Sequence, residues 1–217
     1  MDEMTRTKKI TTIGMLCAAA YIVMLIVHIP VTEFLTYDPK DTVIVMGGFI
    51  LGPLPALCMA LVVALVEMFT VSSTGIVGFL MNFLASCTFA AAAALVYKKM
   101  HNAAGAVMGL AVGVAASTCA MLLWNYLITP IYMGVPREAV SAMLLPVFLP
   151  FNLAKGMINS AFALIIYKPL ITALRKAGLV EIVRTDGKVR LQAGVYIAAA
   201  VLLAVGVIIV LKMKNII

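Results

Sequence analysis

Seven apolar stretches follow one another along this chain with only short polar breaks, and 217 residues cannot hide that much apolar surface from water. They cover residues 10–29, 42–51, 56–71, 76–97, 103–130, 144–174 and 193–211. Hydrophobic residues make up 64% of the chain and charged residues only 12%, which excludes an ordinary soluble domain. A spanning helix needs about 20 mostly apolar residues. Backbone at membrane depth must satisfy its own hydrogen bonds, so these Ala-, Leu- and Met-rich runs are read as helices. The second run is too short to span alone. It is predicted to be a partial helix shielded by protein, and broken helices of that kind survive where they line a cavity or are buried. The expected fold is an all-α membrane protein: a six-helix bundle with a short second helix, plus an additional C-terminal transmembrane helix. The expected divisions are a membrane domain over 1–175, a basic cytoplasmic linker over 176–191 and a C-terminal appendage over 192–217.

Charge sets the expected orientation. Arg6, Lys8, Lys9, Lys98, Lys99, Lys168, Arg175, Lys176, Arg184, Lys188 and Arg190 fall on one side, against Lys40 and Arg137 in the opposite loops. The crowded side is cytoplasmic by the positive-inside rule, which makes this a multi-pass cell-membrane protein with its N-terminus inside. Lys212 and Lys214 then end the last run outside, against the rule. The first run continues through Tyr21 to Ile29, too long for a leader's apolar core, and is read as a membrane helix.

The same distribution rules out other classes. The net charge of +7 sits at the ends of apolar runs, so it does not point to nucleic acid. No Walker phosphate-binding pattern occurs. The four cysteines lie in four different runs without C-x-x-C spacing, so neither a disulfide frame nor a metal site is expected. His28 and His101 make no H-E-x-x-H, and no G-x-S-x-G elbow or Ser/His/Asp set is visible. No catalytic residue and no cofactor are assigned.

Polar residues inside the apolar runs carry the functional signal. Lys155 heads the stretch to Ile166, and Glu67 lies within the third run. A charge at the bilayer centre costs roughly 2.5–3.5 kcal/mol on insertion scales, so such groups are kept mainly where they meet a partner, a ligand or water. The orientation gathers Glu67, Asn82, Asn125, Asn152 and Lys155 in the outer halves of their spans, beneath a loop bearing Tyr37, Asp38, Lys40 and Asp41. Asn152, Lys155 and Asn159 share one helix face by spacing. Pro146 and Pro150 are expected to end the preceding turn and free backbone groups. Glu67 is one candidate acceptor for the Lys155 ammonium, and water is another. Asparagine amides both donate and accept, which suits a ligand with an imide-like edge. Tyr37, Phe83, Trp124, Tyr126 and Phe151 are candidates to sandwich a flat ring. Each of these residues also has a plainer use, in helix–helix bridging, snorkelling or an interfacial belt. Gly14 and Ala18 form a small-residue face on the first helix, suited to close packing either within the molecule or against another helix.

Three segments together resemble the riboflavin-specific S subunits of energy-coupling factor (ECF) transporters. They are Tyr37-Asp38-Pro39-Lys40-Asp41, Gly78-Phe79-Leu80-Met81-Asn82-Phe83-Leu84-Ala85 and Leu149-Pro150-Phe151-Asn152-Leu153-Ala154-Lys155-Gly156. The resemblance covers roughly residues 5–175. It implies six helices with a short second one, and capture of a vitamin from outside, held under the loop between the first two spans. It implies no ATPase in the chain itself and transport driven by a shared transmembrane T subunit with a pair of ATP-binding subunits. It also implies that Asn152 and Lys155 contact the flavin, that Asn125 matches a further family asparagine, and that Tyr37, Asp38 and Asn82 are contacts by position. Gly14 and Ala18 would meet the T subunit. The cargo would be riboflavin or its phosphorylated form, FMN. The alternatives are an S subunit for another vitamin, and an ion-coupled secondary transporter using Glu67 and Lys155.

Overall fold

The computed structural model describes residues 6–32, 35–72, 74–179 and 193–214, and is almost wholly helical. Helix α1 (Arg6–Ile26) leads into a small antiparallel hairpin of β1 (Ile29–Pro30) and β2 (Thr36–Tyr37), in which Ile29 pairs with Tyr37. The short α2 (Lys40–Leu51) and α3 (Pro53–Thr70) follow, joined at Gly52, whose φ of 98° lies in the left-handed region that suits glycine. Then come α4 (Gly75–Met100), α5 (Ala103–Leu127), and the short α6 (Thr129–Met133) and α7 (Arg137–Met143). A π-helical turn at Leu144–Phe148 opens into α8 (Leu149–Lys176), and α9 (Ala193–Met213) closes the described chain. Among the described residues, six helical stretches are long and apolar enough to cross a membrane: α1, α3, α4, α5, the run Arg137–Leu174, and α9 from Gly194. This is a multi-pass all-α membrane protein.

α2 is the short second helix expected from the sequence, and protein shields it. Residues 40–48 are all buried, with Ile44, Val45 and Met46 in the main core beside Leu16, Met59, Val63 and Phe89. A helix of 12 residues is about 18 Å long, too short to cross a hydrocarbon core of about 30 Å. It is tolerated because α1, α3, α4 and α8 pack around it. α4 and α5 approach closely where small residues face each other. A Cβ on Gly113 would lie 2.6 Å from the Phe89 carbonyl oxygen.

Pro146, in the π turn, and Pro150, in the first turn of α8, do not end the helical path as expected. The chain stays helical through Pro146 and Pro150, with Leu149 N–H donating to the Leu144 carbonyl in a widened π turn. Proline lacks an N–H and crowds the preceding turn, and a π turn adjusts the ladder locally without breaking it. The fifth run divides instead: α5 stops at Leu127 and α6 starts afresh at Thr129. The expected appendage is a helix packed along α8, with Ala199 in the main core. Residues 180–191 of the expected basic linker lie outside the described residues.

Candidate binding site

At the end of the bundle that carries the hairpin, the second turn of α8, the start of α2 with the loop before it, and α3 bring five charged groups together. Lys155 donates to Asp38 Oδ2 at 2.8 Å and lies 3.9 Å from Asp41 Oδ2. Lys40 donates to Glu67 Oε2 at 2.6 Å and sits 3.6 Å from Asp38 Oδ2. Glu67 Oε1 accepts from Asn82 Nδ2 at 2.8 Å, and the Ser86 hydroxyl donates to Asp41. The chain of contacts runs Asn82, Glu67, Lys40, Asp38, Lys155, Asp41, Ser86. Burying isolated charges costs several kcal/mol each, so the cluster is tolerable because every charge has an opposite partner. The lysine side chains are shielded, at 2% exposure for Lys40 and 15% for Lys155. Burial favours a protonated Asp38 in its loop, but the ammonium groups of Lys155 and Lys40 outweigh it and hold this carboxyl below the usual range.

A second set of contacts pins the hairpin. The Tyr37 hydroxyl donates to Asn159 Oδ1 at 3.1 Å, and the Thr42 hydroxyl donates to the same oxygen at 3.2 Å. Tyr37 and Asp38 are consecutive, and they reach Asn159 and Lys155, one helical turn apart on α8. β2 and the loop after it therefore close over that face of α8 through a hydrogen bond and an ion pair. Beneath lies a cavity of about 20 Å³, lined by Asp41, Ala85, Phe89, Ser117, Met121, Asn152, Lys155, Gly156 and Asn159. That is room on the order of one water molecule. A drug-sized ligand takes a pocket of about 300–1,000 Å³, so admitting one requires the walls to part.

Not every expected residue joins this cluster. Asn152 lines the cavity and donates to the Phe148 carbonyl at 2.8 Å. Asn82 enters through Glu67. Glu67 is not the acceptor for Lys155 but pairs with Lys40, and Asp38 takes the α8 lysine. Asn125 is buried and does not itself line the cavity, donating to the carbonyl of the lining residue Met121 and accepting from the Thr129 hydroxyl. Of the candidate ring partners, Tyr37 and Phe151 are buried together, while Phe83 stacks on Phe79 and exposed Tyr126 lies under the Arg137 guanidinium. Gly14 and Ala18 are both exposed on α1, and nothing stands within 4 Å of a Cβ placed on Gly14.

Sequence reasoning placed Lys40 in the outer loop without giving it a partner or a role in the site. It missed Ser86 and Thr42, and placed Asp41 only as an outer-loop acid. A signal was present: the apolar run at 42–51 is directly preceded by Lys40 and Asp41, so the helix built on it buries both in its first turn.

The fold and site define a helical membrane bundle with a buried charge cluster and a small cavity at its hairpin end. The family model described as "ECF transporter, substrate-specific component" matches residues 8–167. The chain belongs to this family. It is 30% identical to the riboflavin transporter FmnP of Bacillus subtilis (strain 168), over 75% of this chain and 92% of that protein. It is 29% identical to the riboflavin transporter RibU of Staphylococcus aureus (strain TCH60), over 80% of this chain and 96% of that protein. The solved S component of a bacterial ECF transporter matches with a TM-score of 0.67 and 28% identity, over 79% of this chain and 99% of its own. These relatives are transporters, in line with the expectation of a non-enzyme.

Proposed function

We propose that this chain is the substrate-binding subunit of an ECF transporter and captures riboflavin from the outer side for ATP-driven uptake. The observation that carries this reading is that Asn152, Lys155 and Asn159, on one face of α8, line a small cavity, and that Tyr37 and Asp38 of the neighbouring hairpin segment bond to Asn159 and Lys155. Curated relatives near 30% identity are riboflavin transporters, which supports that cargo.

The geometry suggests how capture works. Retracting the hairpin breaks Tyr37–Asn159 and Asp38–Lys155 together. That frees a carbonyl acceptor and an ammonium donor a helical turn apart, beside the Asn152 amide. Riboflavin is a flat neutral ring with an imide edge and a hydroxylated chain. The asparagines pair with imide-type groups, and Lys155 donates to a carbonyl or hydroxyl. When the hairpin lifts, Asp41 remains near Lys155 and Glu67 remains on Lys40, so neither ammonium is left without an acceptor. The cluster holds three carboxylates against two ammonium groups, which favours the neutral vitamin over its phosphate ester, FMN.

In this reading the N-terminus is cytoplasmic, in accord with Arg6, Lys8, Lys9, Lys98 and Lys99 on one side. The exposed Gly14 and Ala18 face offers close approach to the transmembrane subunit that couples to the ATP-binding pair. The experiment is a titration of riboflavin with purified protein, followed by quenching of flavin fluorescence. The unmodified chain saturates. Lys155→Ala and Asn152→Ala each weaken binding by about tenfold or more, the value of a lost hydrogen bond to a polar ligand. Unchanged affinity in both variants removes α8 from the site, and no quenching by the unmodified chain removes riboflavin.

A further inference from the structure

Helix α9 lies beyond the family match, which stops at residue 167, and the solved S component leaves a fifth of this chain uncovered. Nothing in those comparisons gives α9 a task. Its own pattern does. Val195, Ala199, Leu202, Gly206, Val210 and Met213 recur at spacings of three and four and are buried or half-buried, whereas Tyr196, Ile197, Val201, Val205 and Ile208 are exposed. The helix therefore has one protein-facing stripe and a lipid-facing remainder.

The stripe meets α8 and the apolar cluster in which α8 and the hairpin pack together. A Cβ on Gly206 would lie 2.6 Å from Ile158 Cγ1 and 3.2 Å from the Ala154 carbonyl oxygen. Ala154 and Ile158 are the immediate chain neighbours of Lys155 and Asn159. Further along, Leu203, Val210 and Met213 pack against the cluster of Val31, Tyr37, Phe151 and Ile158, together with Leu35. Val31, Leu35 and Tyr37 belong to the hairpin, and Phe151 and Ile158 to α8. α9 thus packs along α8 and into the apolar cluster where α8 and the hairpin meet, although it contributes no group to the cavity lining.

We propose that α9 is a membrane-embedded latch, whose outer end holds the hairpin down on α8 and so slows the opening through which ligand leaves. Val210 and Met213 are positioning residues for the hairpin. The ligand part rests on the riboflavin reading above; the latch itself does not, and can be read without ligand.

The test uses the full chain carrying Val210→Ala and Met213→Ala together, with Val205→Ala and Ile208→Ala as the lipid-facing control on the same helix. Amide hydrogen exchange is followed in the ligand-free protein. We expect exchange over residues 29–37 to rise by about tenfold in the first variant, with the control and the α4 and α5 amides unchanged. Riboflavin dissociation, followed by recovery of flavin fluorescence, should accelerate by a similar factor. Unchanged exchange at 29–37 overturns the latch, and so does a rise spread equally over α4 and α5. If the unmodified chain does not bind riboflavin, the cargo reading fails while the exchange result still decides the latch.

Discussion

Removing the α8 ammonium should destabilise the ligand-free protein, and removing Asp38 as well should restore part of the loss. In the intact cluster two ammonium groups face three carboxylates. Lys155→Met leaves one against three, and deprives Asp38 of its 2.8 Å partner and Asp41 of a cation at 3.9 Å. Breaking a buried pair from one side costs about 3–5 kcal/mol. The lower end applies here, because Asp38 keeps Lys40 at 3.6 Å and Lys155 is 15% exposed, which screens the lost attraction. About 3 kcal/mol corresponds to a fall in Tm of roughly 6–12 °C for a chain of this length. Adding Asp38→Asn brings the cluster to one ammonium against two carboxylates, the same net charge as the intact site. The double variant should therefore melt above Lys155→Met, with a coupling of about 1.5 kcal/mol or more in the full double-mutant cycle. Thermal unfolding in detergent, followed by helical circular dichroism without riboflavin, measures this. Effects that add to within about 0.5 kcal/mol would refute the ion pair as the hairpin's clasp.

Two further outcomes follow from other contacts. Glu67→Gln leaves Asp38, at 3.6 Å, as the one carboxylate within ion-pair distance of the Lys40 ammonium among the described residues, so this variant should lose about 2–3 kcal/mol and melt several degrees lower, although Glu67 lines no part of the cavity. Gly14→Trp fills open space on an exposed helix face, so riboflavin titration and Tm should stay unchanged while uptake by cells carrying the complete transporter falls severely. Retained uptake would show that this face is not a partner contact.

The bundle was legible in the sequence because the bilayer imposes a length and a composition on each span. Lys155 was legible for the same reason, since an ammonium inside an apolar run demands a partner. What could not be read was which partner. Glu67 and Asp38 are both acids on the outer side, and only the three-dimensional path of α2 gives the first to Lys40 and the second to Lys155. Asn125 illustrates another limit: its use of Thr129, four residues ahead across the α5–α6 junction, is a local contact that sequence position alone makes indistinguishable from a ligand contact. The π turn was hidden because prolines in a row of apolar residues read most simply as a break. α9 was read as an appendage from the charged residues before it. Its stripe from Val195 to Met213 was the signal that it packs.

The most direct test of this account is a structure of the protein determined with riboflavin bound. It should place the ring edge within hydrogen-bond distance of Lys155 Nζ and the Asn152 amide, with Asp38 moved off Lys155 and the hairpin displaced from Asn159. Riboflavin bound elsewhere, with Tyr37–Asn159 and Asp38–Lys155 both intact, would contradict it.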